Sequence, residues 1–257
     1  MSVISFVPRP GAAPWTRMVR TQAAVELRAL LRNGEQLLLV LIIPVGLLVL
    51  GSTVPLFDVG RGDRVDFLLP GVIGLAVMST SFVGLAIATG FERRYGVLKR
   101  LGASPLPRSG LLAGKALAIL VIEVLQILVL VLVALALGWT ATTSARGWAY
   151  AALLVVAATV AFAALGLLMA GLLRAEATLA AANLVYLLFL VGGGVVVPLD
   201  RLPEVVRPVL EALPLAALTN GLRVALEQGT LPLAELVILA TWAALLGAIT
   251  SRTFRFS

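Results

Sequence analysis

Six long apolar segments alternate with shorter polar ones along this chain of 257 residues. They cover residues 36–56, 67–90, 109–138, 148–173, 177–197 and 232–250. Four of them contain no charged residue, the third contains Lys115 and Glu123, and the sixth contains only Glu235. About 20 apolar residues suffice to cross a bilayer, and a spanning segment must satisfy its own backbone hydrogen bonds. The pattern therefore predicts an all-α integral membrane protein with six transmembrane helices within residues 36–250.

Residues 1–35, which precede the first apolar segment, have a different pattern. Three prolines come first, and then a basic and an apolar helical face: Arg17, Arg20 and Arg28, and Trp15, Met18 and Val25. A basic amphipathic helix that carries a tryptophan typically lies in the membrane interface. We predict such an N-terminal interfacial amphipathic helix, and the alternative is a solvated charged tail. No short apolar core follows a basic start, so we expect no cleaved signal.

Residues 200–229, before the last apolar segment, are too short and too mixed to span a bilayer. An apolar stripe and a charged face recur there at helical spacing: Val205, Val206, Val209, Leu210 and Leu213, and Glu204, Arg207 and Glu211. Arg223 and Glu227, four residues apart, fit a second short helix. Because the apolar face needs burial, the pattern favours a re-entrant or interfacial helical hairpin over a loop that rests on the bilayer.

The composition excludes several classes of protein. Hydrophobic residues make up 60% of the chain, charged residues 13%, and the mean hydropathy is +1.06. Water does not solvate such a composition, so a soluble enzyme, a disordered protein and a coiled coil are excluded. Histidine and cysteine are both absent, which removes disulfides, thiolate nucleophiles, Cys/His zinc sites and His-based triads. We predict no catalytic residue and no metal site, which disfavours a membrane enzyme.

The basic residues are distributed asymmetrically. If there are six spans, fourteen of the 20 basic residues fall on the side of both termini and six on the other side. The positive-inside rule then places both termini, including the tail 251–257, in the cytoplasm. Lys99 and Lys115 are the only lysines, and this preference for arginine is typical of a GC-rich bacterial genome. We therefore predict a multi-pass protein of a bacterial cytoplasmic (inner) membrane.

The connection after the second apolar segment, residues 91–108, is dense in charge. Its sequence is FERRYGVLKRLGASPLPR. We predict a short helix over 91–101, which Gly102, Pro105 and Pro107 end. The candidate docking residues for a cytoplasmic partner are an acid, an aromatic and two basic pairs: Glu92, Arg93, Arg94, Tyr95, Lys99 and Arg100. The alternative is a basic loop that only enforces the topology.

The order of residues in this connection resembles a motif of the ABC-2 type permeases, the membrane subunits of bacterial ATP-driven exporters. The shared pattern runs from an acid to a proline turn: Glu92, Arg93, Arg94, Gly96, Leu98, Lys99, Arg100, Leu101 and Pro105. A second family pattern, Pro-Leu…Asn-x-x-Arg, is matched by Pro214, Leu215, Asn220 and Arg223. With the six-span layout, the resemblance covers almost the whole chain and is nearest to the daunorubicin/drug-resistance exporter-like branch.

The resemblance implies a division of labour between subunits. Residues 1–257 would form a single ABC-2 type transmembrane domain, while a separate ATPase subunit, in two copies, binds and hydrolyses ATP. That subunit would dock on residues 91–101 and on the interfacial helix, and a second permease, identical or related, would complete the translocation path. We expect export of an amphipathic substrate such as a drug, a lipid or a glycoconjugate. We expect no nucleic-acid partner and no cofactor on this chain.

The chain itself lacks a complete phosphate-binding loop. Residues 110–115 come close to the pattern G-x-x-x-x-G-K-[ST], but only three residues separate Gly110 from Gly114, and Ala116 follows Lys115. Because Lys115 lies at a membrane boundary, we expect its side chain to extend to the headgroups.

Three polar residues inside the predicted spans are candidates for a substrate path or a coupling network: Glu123, Gln126 and Asn183. A charge at the bilayer centre costs about 2.5–3.5 kcal/mol on insertion scales, so Glu123 should face protein or a cavity, or be protonated. The alternative is that these residues only join helices by hydrogen bonds. The competing function is a secondary ion-coupled transporter that uses Glu123, although such transporters usually carry several deep titratable groups and an internal repeat.

Overall fold

The computed structural model describes residues 13–32, 34–54, 64–140, 143–195 and 203–253, and this part of the chain contains no strand. The α-helices, α1 to α11 in chain order, are Trp15–Arg32, Gly34–Thr53, Arg64–Met78, Leu85–Arg94, Val97–Gly102, Arg108–Ala136, Ala145–Leu172, Ala175–Gly192, Arg207–Glu211, Pro214–Arg223 and Leu233–Thr253. Two short π-helical segments, Ser79–Gly84 and Val224–Gln228, continue α3 and α10. The predicted all-α class is confirmed.

Five helical stretches are long and apolar enough to cross a membrane: Arg64–Arg94, Ser109–Ala136, Ala145–Leu172, Ala175–Gly192 and Leu233–Thr253. They coincide with the second to sixth predicted spans and indicate a multi-pass membrane protein. The first predicted span, 36–56, overlaps α2, whose apolar part Val40–Thr53 is described with its side chains. Residues 55 and 56 lie outside the described part of the chain. The total of six spans therefore stays a prediction, as does the side of the membrane on which the termini lie.

The second span is the most buried one and forms a continuous helical rod from Arg64 to Arg94. It consists of α3, the first π segment and α4, and every residue from Leu68 to Met78 is buried. Helix α7 packs against the π segment through Gly166, where a Cβ atom would lie only 2.8 Å from the carbonyl oxygen of Phe82. The absence of a side chain at Gly166 thus lets two helix backbones come close in the core.

Helix α10 is enclosed by α3, α7 and α11. At its end the Arg223 side chain donates a hydrogen bond to the carbonyl oxygen of Gly194 at 2.7 Å and lies over the Phe67 ring, 4.0 Å from the ring centre. The motif residues Pro214 and Leu215 are buried at the start of the same helix. The second family pattern therefore describes a helix that is fastened into the protein at both ends.

Helix α9, which precedes α10, is short and mostly exposed. The Arg207 Nε and Glu211 Oε1 atoms form an ion pair at 2.7 Å, as the i, i+4 spacing indicates. The predicted apolar stripe is exposed at Val205 and Val209. Helices are thus present at both predicted positions of the hairpin, while its depth in the bilayer stays a prediction.

The prediction of a single helix over 91–101 is wrong. Helix α4 ends at Arg94, the chain turns at Gly96, and α5 begins at Val97. Gly96 has a φ of 71°, in the left-handed region that glycine adopts without a steric cost. After the turn Leu98 is almost fully buried, which holds α5 against the protein.

We expect Gly166→Ala to lower the free energy of unfolding by about 1–3 kcal/mol, because the added methyl group overpacks a core contact with backbone. Gly247→Ala in α11 is the matched control, since a Cβ atom at Gly247 meets nothing within 4 Å. Thermal unfolding of the detergent-solubilised protein measures both. Equal stability of the two variants would contradict the close approach of α7 to the rod.

Candidate functional site

The amphipathic helix α1 packs closely along the first turns of α6. Val19 and Ala23 on α1 are buried. A Cβ atom on Gly114 of α6 would lie 2.7 Å from the Gln22 Cγ atom and 3.3 Å from the Ala23 amide nitrogen. Because Gly114 carries no side chain, α1 lies directly on α6 and brings its polar residues beside those of that helix.

Lys115 is the centre of an ion cluster that joins three helices. Its Nζ atom lies 2.8 Å from Glu26 Oε1 on α1 and 2.7 Å from Glu92 Oε1 on α4, and Lys115 itself is only 5% exposed. Gln22 donates a further hydrogen bond to Glu26 at 2.8 Å. The expectation that Lys115 extends to the headgroups is therefore wrong. A buried ammonium group is costly unless it is paired, so α1, α4 and α6 are held together at this point.

Two of the predicted docking residues make contacts inside the protein. Glu92 binds Lys115, as described above, and Arg93 donates hydrogen bonds to the carbonyl oxygens of Ala170 and Gly171 at 2.8 and 2.5 Å. Those carbonyls belong to the last turn of α7, where unpaired carbonyls and the helix dipole favour a cation. Glu92 and Arg93 thus fasten α4 to α6 and to α7.

The other four predicted docking residues form an exposed surface, which we name the basic turn: Arg94, Tyr95, Lys99 and Arg100. Arg94 forms an ion pair with Glu176 at the start of α8, and both side chains are more than half exposed. The Tyr95 ring stacks on Phe91 with 6.1 Å between ring centres and is 66% exposed. The structure thus brings all six predicted residues to one end of α4, four outward and two inward.

A second polar cluster lies in the membrane-spanning part, around the first π segment. Glu123 and Gln126 on α6 are 1% and 2% exposed. Thr80 of the π segment donates to Gln126 at 2.8 Å, and Gln126 donates to the carbonyl oxygen of Val40 at 3.2 Å. The Thr159 hydroxyl on α7 lies 2.6 Å from a Glu123 carboxyl oxygen. These contacts join α6 to α2, to the rod and to α7, so Glu123 and Gln126 face protein as expected.

Asn183, the third predicted membrane residue, lies apart from this cluster. It is exposed on α8, and its amide donates to the carbonyl oxygen of Leu179 at 3.0 Å. With Tyr186, Ser79 and Val40 it lines an open cavity of about 180 Å³ between α2, the π segment and α8. Asn183 therefore borders a space in which a ligand could contact it, whereas Glu123 and Gln126 do not line this cavity.

Sequence reasoning missed three of the residues that complete these clusters: Glu26, Thr80 and Thr159. Thr80 had a local signal, because Ser79–Ser81 is a run of hydroxyl residues in an otherwise apolar segment. Glu26 had none, since its role depends on a lysine 89 positions further along the chain. In the part of the chain that the structure describes, no group of three or more His, Cys, Asp or Glu residues is placed to hold a metal ion.

Comparisons with known proteins place these features in one family. Residues 19–226 match the family model described as ABC-2 type transporter. The chain is also 25% identical over 199 residues to "Putative transport permease YvfS" of Bacillus subtilis (strain 168), an alignment that covers 77% of this chain and 80% of that protein. The range matched by the family model includes the ion cluster, the basic turn and the π-segment cluster, but not α11.

We expect Lys115→Met to lower the free energy of unfolding by about 3 kcal/mol, because it leaves two largely buried carboxylates without their cation. That value is at the lower end for a broken buried pair, since Glu26 and Glu92 keep exposures of 17% and 22%. Thermal unfolding in detergent measures the change, and Lys99→Met, at an exposed lysine, is the matched control.

The triple variant Lys115→Met, Glu26→Gln, Glu92→Gln distinguishes the effect of the Lys115 charge on stability from the effect of its packing. Its stability should return most of the way to that of the unsubstituted protein, since no unpaired charge remains. A triple variant as unstable as Lys115→Met alone would show that the lysine acts through its packing and not through its charge.

Proposed function

Since the chain belongs to the ABC-2 type transporter family and is a membrane permease subunit of an ABC transporter, we propose that it serves an ATP-driven exporter. In this proposal two copies of a separate ATPase subunit bind and hydrolyse ATP, and this chain holds no cofactor. A second permease, identical or related, completes the complex. The protein lies in a bacterial cytoplasmic membrane with both termini in the cytoplasm.

One observation carries the proposed mechanism: the basic turn follows directly on the helix that ends the central rod. Glu92 on that helix is bound to Lys115, and Arg93 to the end of α7. A partner that pulls on the basic turn therefore acts on α1, α6 and α7 through contacts shorter than 3 Å. We assign ATPase docking to Arg94, Tyr95, Lys99 and Arg100, and the transmission of the movement to Glu92 and Arg93.

The proposed substrate path rests on the apolar character of the spans and on one cavity. The described spans are strongly apolar, which suits an amphipathic substrate such as a drug, a lipid or a glycoconjugate. The cavity beside Asn183 is the candidate contact point for it. The Glu123–Gln126 cluster would couple the π segment to α6 and α7 as these helices move. Within the family, we propose that this chain belongs to the daunorubicin/drug-resistance exporter-like branch.

We expect the double variant Lys99→Glu, Arg100→Glu to lower the affinity for the cognate ABC ATPase subunit by at least about tenfold, because charge reversal at an electrostatic interface costs several kcal/mol. Both side chains are exposed, so thermal stability should not change. Co-purification from membranes, with the ATPase subunit carrying the affinity tag, measures the association.

Arg146→Glu is the control for that experiment. Arg146 is an exposed arginine at the start of α7, the end of the helix opposite to the one that Arg93 contacts. It should leave the association unchanged. Recovery of the double variant in the amounts seen for the unsubstituted protein would refute docking at the basic turn.

Glu123 distinguishes this function from a secondary ion-coupled transporter, which its deep burial also permits. We expect Glu123→Gln to retain ATP-driven transport, because the glutamine amide can accept from Thr159 or donate to it. A fluorescent amphipathic dye in vesicles that contain both subunits provides the measurement, with ATP or a proton gradient supplied separately. Transport that runs on the proton gradient alone and is abolished by Glu123→Gln would establish the secondary transporter instead.

A further inference from the structure

Helices α6 and α7 are neighbours in the chain but leave an open groove between them. The groove has a volume of about 470 Å³ and is lined only by apolar side chains. Its walls include Leu120, Val124, Leu128 and Val131 of α6 and Trp148 and Val156 of α7. Volumes of about 300–1,000 Å³ are typical of sites that bind small molecules.

The groove has the length and direction of a lipid chain in one leaflet. Leu120 and Val131 are eleven residues apart on α6, which corresponds to about 16 Å along the helix axis. The hydrocarbon core of a bilayer is about 30 Å thick, so the groove crosses about half of it. Both walls belong to membrane-spanning stretches, and the groove therefore runs across the bilayer, not along its surface.

The two ends of the groove differ in chemistry. At one end Trp148 packs edge-on against Trp139, with 6.2 Å between ring centres. Tryptophan is enriched at the boundary between hydrocarbon and headgroups. Near the other end the hydrogen bond between Glu123 and Thr159, at 2.6 Å, ties α6 to α7. The groove thus begins at the level expected for headgroups and ends where a buried polar contact joins its walls.

The groove opens sideways and not toward the protein interior. On its rim Val124, Leu128 and Val156 are 66%, 54% and 45% exposed, whereas Ile73, Leu222 and Leu226 at its floor are buried. Because the rim lies in the membrane-spanning part and faces away from the protein core, it is accessible to acyl chains of the surrounding bilayer. The length, the apolar lining and the lateral opening all fit one such chain.

We propose that this groove binds one acyl chain of a bilayer phospholipid, with the headgroup at the level of Trp148 and Trp139. The site is separate from the basic turn and from the cavity beside Asn183. Binding of a lipid there requires neither the ATPase subunit nor a transported substrate. The lipid site can therefore be tested independently of the proposed export function.

The test uses the full chain, reconstituted in phosphatidylethanolamine and phosphatidylglycerol vesicles that contain a phospholipid with a photoreactive diazirine on its acyl chain. After illumination, mass spectrometry locates the label along the protein. We expect the label to be concentrated in residues 120–131 and 148–156. Even labelling of all exposed leucines and valines in the spans would overturn the proposal.

Groove-filling variants test occupancy directly. Val124→Trp and Val156→Trp should each reduce labelling of the groove by at least about tenfold, because the indole ring takes the space of the chain. Leu125→Trp and Val160→Trp are the controls, since both positions are exposed on the same helices but do not line the groove. Unchanged labelling in the groove-filling variants, with thermal stability retained, would refute the site.

A second copy of this chain is the competing occupant. The chain contains no cysteine, so Leu128→Cys introduces a single thiol at the rim. We expect this variant to remain without a disulfide between copies under mild oxidation in the vesicles. Efficient cross-linking at Leu128→Cys would assign the groove to an interface between permeases and overturn the lipid proposal.

Discussion

The buried ammonium group of Lys115 is the constraint on which the arrangement of helices at this end of the molecule depends. Removing a charge from water costs several kcal/mol, and only nearby opposite charges recover that free energy. Glu26 and Glu92 provide those charges from two different helices. The position of α1 against α6, the inward orientation of Glu92 and the outward position of the basic turn are all consistent with that requirement.

The same contacts make the amphipathic helix α1 one structural unit with α4 and α6. Helix α1 is attached to α6 by packing at Gly114 and to α4 through the ion cluster. A partner that contacts the basic turn therefore meets three connected helices and not a free loop. The rigidity of the region around the basic turn comes from charge pairing and close backbone packing, because α5, with six residues, is too short to be stable alone.

The five long apolar helices and the helical amphipathic pattern of α1 were predictable, because hydropathy and helical periodicity are properties of short stretches of sequence. The position of Lys115 was not, since it depends on Gly114 admitting α1 and on Glu26 arriving with that helix. The end of α4 at Arg94 and the turn at Gly96 were missed, because a glycine within a charged run is compatible with both a helix and a turn. The π segment was missed as well, since one extra residue in a helical turn does not change the hydropathy of the segment. Asn183 was placed correctly in a helix, but its cavity is formed by residues from three separate parts of the chain.

The π segment has a consequence for how this chain tolerates insertions and deletions. A π-helical turn holds about one residue more than an α-helical turn, and one residue corresponds to about 100° of rotation about the axis of an α-helix. Deleting a single residue between 79 and 84 would restore uniform α-helical winding and leave the hydropathy profile almost unchanged. Because the shortened segment would complete the same turn with one residue fewer, the helix beyond it would keep its orientation, with Glu92 still facing Lys115 and Arg93 still facing α7. A deletion between residues 85 and 91 meets no such extra residue and would rotate Glu92 by about 100° away from Lys115, so the rod absorbs the loss of one residue at the π segment and not beyond it.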